Sequence, residues 1–304
     1  MKVGGCLANK SENEKKALQS CGVNLGIVFQ ISDDILDYNS TKVFGKDIGN
    51  DFYEGKITLP IIILFQKSNE TLEADLARDV AAEIEARHGK GRAVVHVEEL
   101  STPGCAEKLV ALAVKTFGRL DGLVNNAAIV ASGDLATTTR DLFERIMTVN
   151  VLVPLELTRA ALPHLRQTRG SVLNIGSVNA HCGEPNLLPY SLSKAALQAA
   201  TRNLGDTLFR EDGVRVNQVN PGWVLTDNEI ARKRQQGLDD DWPGRVGPQF
   251  APAGRLIAPD EIAAVVVTFL SDECGPISGQ VCDLEQYPLL GRNPPKTIQP
   301  AKEA

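Results

Sequence analysis

From about residue 72 to residue 284 the sequence alternates between stretches with helical apolar spacing and short β-branched runs, and this alternation limits the fold more than any other feature. Helices are expected over 72–87, 106–117, 140–165, 189–209 and 260–271. Strands are expected over 92–97, 122–129, 171–177, 215–220 and 279–284. Helices and strands in strict turn predict a parallel sheet with helices on both faces, because each parallel connection must cross over the sheet. The first 70 residues have another texture. Residues 17–38 carry Val23, Ile27, Phe29, Ile31, Ile35 and Leu36 at helical spacing, and a glycine-rich loop follows over 44–55. Thr58-Leu59-Pro60 then opens a second apolar stretch, read as a helix because proline is tolerated in a first helical turn. Residues 68–71 are polar and read as a junction. The tail over 291–304 is polar and reads as loose.

Charge and cysteine usage narrow the function classes. A net charge of −6 with no basic run gives no electrostatic footprint for nucleic acid. The six cysteines, at 6, 21, 105, 182, 274 and 282, form no CxxC pair and read as free thiols of a reducing compartment. The apolar run over 59–65 is too short to span a bilayer, and the first residues lack a signal-peptide layout. The expectation is a cytoplasmic chain that acts on a small molecule, makes no membrane span and is compatible with a homo-oligomer.

The chemistry concentrates at the predicted strand ends. Tyr190 and Lys194 are four apart on one predicted helix, so they share a face. A lysine ammonium beside a phenol favours the phenolate and suits the tyrosine to acid/base work. Ser177 closes a strand 13 residues before Tyr190. Asn125-Asn126-Ala127-Ala128 ends an earlier strand, Asn150 lies in the helix after it, and Pro221-Gly222 with Thr226 follows a later strand. Together these motifs resemble the short-chain dehydrogenase/reductase family over roughly residues 73–290.

The resemblance implies a truncated Rossmann-like, doubly wound parallel sheet and an NAD(P)-dependent oxidoreductase of an alcohol or carbonyl substrate. It implies that Tyr190 exchanges the proton with the substrate oxygen and that Ser177 hydrogen-bonds that oxygen. Lys194 would favour the phenolate and hold the nicotinamide ribose, and Asn150 would hold a relay water. Asn126, Ala127, Pro221, Gly222 and Thr226 would line the cofactor, NAD or NADP. Trp223, Gln249 and the segment 227–250 would form a substrate lid. Glu99 would lie near the adenine. For Asn125 and Asn126, strand-end hydrogen bonding is an equal alternative to cofactor contact.

One family element is missing from the sequence. The TGxxxGxG turn, which brings backbone to the pyrophosphate at a helix N-terminus, is not found before residue 121. The family's first strand, first helix and most of its second strand have no counterpart. Glu73-Ala74-Asp75 reads either as the end of that second strand or as an acidic first helical turn. Without the first strand, the strand that begins at residue 122 would present an open edge.

The first 68 residues carry a separate pattern. Asp33 and Asp37 fall on one helical face beside Asp34, and clustered carboxylates of this kind suit Mg²⁺ bearing a diphosphate. Phe29-Gln30-x-x-Asp33-Asp34-x-x-Asp37, with the following loop from Gly45 to Pro60, resembles the second aspartate-rich region of the trans-prenyl diphosphate synthases over residues 5–68. The resemblance implies an all-α fragment in which Asp33, Asp34 and Asp37 bind Mg²⁺ and Lys46 meets phosphate. That family's first aspartate-rich motif is absent, so prenyl transfer is not expected. Three parts are therefore expected: a helical fragment over 1–70, an N-terminally incomplete dehydrogenase unit over 71–290, and a tail. The alternative to an oxidoreductase is a chimeric, non-catalytic remnant, at most a Mg²⁺–diphosphate binder related to isoprenoid biosynthesis.

Overall fold

The computed structural model describes residues 61–65 and 70–290. The aspartate cluster Asp33, Asp34 and Asp37, Lys46, the helix over 17–38 and the tail lie outside them. Within them the elements run β1 (Ile61–Phe65), α1 (Glu70–His88), β2 (Ala93–Val97), α2 (Cys105–Phe117), β3 (Gly122–Asn125), α3 (Arg140–Met147), α4 (Val153–Thr168), β4 (Ser171–Ile175), α5 (Leu188–Asp212), β5 (Arg215–Pro221), α6 (Asp227–Gln235), α7 (Pro259–Leu270) and β6 (Val281–Leu284). From α1 onward the alternation read from the sequence is thus the alternation of the fold, and every strand pair is parallel.

The strands form two sheets. β3, β4, β5 and β6 lie side by side in that order, while β1 pairs with β2 alone. β4 and β5 are buried along their whole length. Apolar side chains cover both faces of the larger sheet. On one, Leu173, Ile175 and Val219 meet Ile262 and Val266 of α7. On the other, Val172, Val214 and Val216 meet Ala161 and Leu165 of α4. Leu109 of α2 packs with Val153 and Leu157 of α4, which ties the β2–α2 crossover to the larger sheet. The stretch 140–168 is apolar and long enough to cross a bilayer, but α4 is a core helix whose inner face is buried against the sheet.

Three expectations are corrected, and one open alternative is decided. Ile61–Phe65 is a strand, not a helix, and it extends β2 in parallel register from Ile61 opposite Ala93 to Phe65 opposite Val97. Three consecutive isoleucines suit either structure, and β-branching favours the strand once a partner edge is present. Glu73-Ala74-Asp75 lies inside α1, so the acidic-turn reading holds and the strand-end reading fails. The strand at 122 stops at Asn125, four residues early, where its chain leaves the ladder. The helix expected over 140–165 is broken by one π-turn, Thr148–Leu152.

Candidate active site

The site lies at the C-terminal ends of β3, β4 and β5, where the sequence motifs converge. Tyr190 and Lys194 stand on the first turns of α5, which opens with Pro189. The Lys194 ammonium is 5.6 Å from the Tyr190 ring centroid. It donates to the Ile175 carbonyl at the end of β4, at 2.7 Å. Lys194 is 3% exposed, so its charge acts across little water.

Asn150 owes its position to the π-turn. The extra residue of that turn re-aims a side chain that a regular helix would point elsewhere. Asn150 Oδ1 accepts from the Ile129 N–H at 2.8 Å, and Nδ2 donates to the Ile129 carbonyl at 3.0 Å. Nδ2 also donates to Ser193 Oγ at 3.0 Å, and that hydroxyl donates to the Tyr190 carbonyl at 2.7 Å. Asn150 therefore holds the loop after β3 against the turn of α5 that carries Tyr190.

Ser177 caps a short 3-10 turn over Val178–Ala180, its Oγ accepting from the Asn179 N–H at 3.2 Å. Its own N–H donates to Asn220 Oδ1 at 3.1 Å. As an acceptor in the cap, the hydroxyl still has its proton to donate.

The residues expected around a cofactor divide. Asn125 is buried at the end of β3 and donates through Nδ2 to Asn174 Oδ1 at 2.8 Å, which is the strand-end alternative. Its Oδ1 is buried with no hydrogen-bond partner, a cost of about 1–3 kcal/mol that a donor group placed there would remove. Asn126 and Ala127 follow in the loop, and Ala127 packs on the Leu100, Cys105 and Leu109 cluster. Thr226 caps α6 by accepting from the Glu229 N–H at 3.1 Å. Gly222 lies close under Glu285: a Cβ there would sit 2.1 Å from Glu285 Oε2, whose carboxylate also accepts from the Trp223 N–H at 3.1 Å, so a side chain would have to displace that carboxylate. Glu99 turns back on its own loop, accepting from Ser101 Oγ at 2.8 Å.

Beyond Gly222, residues 223–250 hold an aromatic cluster. Trp223 and Trp242 stack at 5.6 Å, Phe250 meets Trp223 edge-on, and the Lys233 ammonium lies over both indoles at 5.4 and 5.9 Å. Glu229 fixes Trp223 by accepting from its Nε1 at 3.0 Å. Gln249 is exposed and folds back onto Gly247.

These residues fit one end of a dinucleotide. The buried Lys194 beside Tyr190 suits the nicotinamide end. Among the described residues the pyrophosphate end has no match. No glycine occurs between Gly55 and Gly89, so the β1–α1 connection lacks the flexible turn that lets backbone N–H groups approach a phosphate. No cluster of metal-ligating side chains occurs among the described residues.

Sequence reasoning passed over Asn220, Gln198, Asp283 and Glu285. A signal for them exists: β5 carries the amides Asn217, Gln218 and Asn220 in a strand buried throughout, and buried amides demand partners.

Residues 66–285 match the family model described as enoyl-(acyl carrier protein) reductase, and residues 1–94 match that of polyprenyl synthetase. The meso-2,3-butanediol dehydrogenase of Serratia marcescens is 31% identical over 229 residues, 74% of this chain and 86% of that protein. An uncharacterized oxidoreductase of Thermotoga maritima is 34% identical over 181 residues, 59% of this chain and 71% of that protein. An NADPH-bound short chain oxidoreductase from Pseudomonas aeruginosa PAO1, described as having an atypical catalytic center, shares the fold with a TM-score of 0.65 at 21% identity, over 73% of this chain and 84% of that one. The larger part of the chain, with its parallel Rossmann-like sheet, belongs to the short-chain dehydrogenase/reductase family of NAD(P)-dependent oxidoreductases.

Proposed function

We propose that Tyr190, Lys194, Ser177 and Asn150 carry hydride exchange between a nicotinamide cofactor and a secondary alcohol or ketone. The observation that carries this reading is the buried Lys194 ammonium, fixed on the Ile175 carbonyl beside the Tyr190 ring. Tyr190 moves the proton at the substrate oxygen. Lys194 stabilises the phenolate and meets the cofactor ribose. The Ser177 hydroxyl donates to the substrate oxygen, and Asn150 holds the Tyr190 turn in place. The bound cofactor supplies the hydride; this chain orients and polarises. Asn126, Ala127, Pro221, Gly222 and Thr226 border the cofactor, the last three with their packing roles. Residues 1–70 are a prenyl-synthase-like fragment and 71–290 the dehydrogenase unit, with β1 of the first paired to β2 of the second.

The test is NAD(P)H absorbance with a panel of secondary alcohols and ketones. Tyr190→Phe should lower turnover by about 10²–10⁴-fold, the usual contribution of a positioned acid/base. Full activity in that variant would refute the assignment.

A second reading, a non-catalytic chimera, is favoured by the glycine-free β1–α1 connection. It separates from the first by cofactor affinity. Calorimetric titration with NAD⁺ and NADPH should give binding weaker than micromolar. Micromolar affinity, roughly 8 kcal/mol, would require a phosphate cradle that these residues do not form.

A further inference from the structure

The turn that carries Ser177 is gripped from beneath by side chains of β5 and β6. Gly176 has no room for a side chain: a Cβ there would lie 2.0 Å from Asn220 Oδ1 and 2.3 Å from Gln218 Nε2. The Asn220 amide thus sits directly against the Gly176–Ser177 peptide. Asn220 is fully buried, and its amide is saturated. Oδ1 accepts from the Ser177 N–H at 3.1 Å and from Gln218 Nε2 at 2.7 Å. Nδ2 donates to Gln198 Oε1 and to Asp283 Oδ1, each at 2.9 Å. An amide offers two acceptor sites and two N–H donors, so none remains. Flipping it would set donor against donor at Ser177 and Gln218.

Asp283 holds the turn a second time. Its Oδ1 lies 3.0 Å from His181 Nε2, and His181 terminates the 3-10 turn that Ser177 begins. With the carboxylate ionised, Nε2 carries the proton of that bond. One oxygen on β6 therefore fixes the start of the turn through Asn220 and its end through His181.

We infer that Asp283, acting through Asn220 and His181, is a positioning residue that sets where the Ser177 hydroxyl meets substrate. This rests on the proposed role of Ser177. Asp283 is on the rim of the site, with its side chain 32% exposed, so its replacement leaves the core packed. Removing a charged partner from a hydrogen-bonded group costs enough to open the turn about 10–100 times more often.

The test is hydrogen exchange at single-amide resolution, joined to steady-state kinetics, on the full chain. In Asp283→Ala the Ser177 amide should exchange about 10–100-fold faster, while the β4 amides of Val172–Leu173 keep their rates. Asp283→Asn, which keeps an Oδ1 acceptor, should recover most of that protection. Turnover should fall in Asp283→Ala with KM little changed, and recover in Asp283→Asn. In a Ser177→Ala background, Asp283→Ala should lower turnover no further. An unchanged Ser177 amide in Asp283→Ala, or equal acceleration across β4, overturns the inference. The exchange readout needs no turnover, so the two readings fail separately. Full activity in Ser177→Ala refutes the role of the hydroxyl, and the exchange data still decide whether Asp283 holds the turn.

Discussion

The four-stranded and two-stranded sheets of this molecule are built from similar residues and end up in different states. Every residue of β4 and β5 is buried, whereas every residue of β2 is half-buried. β3, at the edge of the larger sheet, is half-buried until Asn125. The difference lies in neighbours. β4 and β5 have strands on both sides and helices on both faces, so their backbone groups are paired and their side chains dry. Among the described residues β3 pairs on one side only, the open edge expected from the missing first strand. The chemistry follows the same division. Tyr190, Lys194, Ser177 and Asn150 are held by paired strands and buried amides.

The largest test of this contrast is amide exchange in the native state. Amides of β4 and β5 should exchange at the global unfolding rate, and those of β2 at least about 10³-fold faster, since regions with few buried contacts open locally. Equal protection would mean that the two sheets unfold as one. Core truncation comes next. Leu173 is fully buried in β4, so Leu173→Ala should cost about 2–5 kcal/mol in chemical denaturation. Val94→Ala in half-buried β2 should cost under about 1.5 kcal/mol. Similar costs would show that β2 is as tightly packed as β4.

Thiol labelling sharpens the boundary between the two. Burial pushes the Cys105 thiol up to about 11, with the nearby Glu98 carboxylate adding to the rise. Cys182 is exposed on the turn after Ser177. At pH 8 an alkylating reagent should therefore modify Cys182 at least about tenfold faster than Cys105. Rapid labelling of Cys105 would mean that α2 leaves the larger sheet readily. The smallest effect is an ion pair on the larger sheet's covering helix. Arg255 holds the Glu261 carboxyl at about 2, below its ordinary 4.5, and the Ala258 N–H adds to this. A depressed carboxyl stabilises the fold at neutral pH, and that contribution disappears as pH falls from about 4.5 to about 2. Both side chains are about half exposed, so Glu261→Gln should cost under about 1 kcal/mol at pH 7 and nothing once the pH is well below about 2. A constant difference across that range would assign the effect to the helix cap instead.

Much of this was legible in the chain. Tyr190 and Lys194 four apart imply one face whatever surrounds them, and α5 delivers it. Ile61–Phe65 was misread because an apolar run of this length fits a buried helix or a strand, and only the waiting edge of β2 chooses. The closeness of Gly222 to Glu285 could not be read either, since Glu285 is 63 residues away and is brought to it only by the pairing of β5 and β6.

From about residue 72 on, the sequence by itself determined the order of helices and strands and their parallel arrangement, because periodicity and local spacing are properties of neighbouring residues. Tertiary structure alone decided three things. It split the strands into two sheets, since pairing depends on which edges are brought together. It aimed Asn150 through a π-turn onto Ser193 and the Tyr190 turn. And it joined Asn220, His181 and Asp283 beneath Ser177, residues whose 102-residue span from His181 to Asp283 is closed only by the β5–β6 pairing that buries Asn220 and makes its amide seek partners.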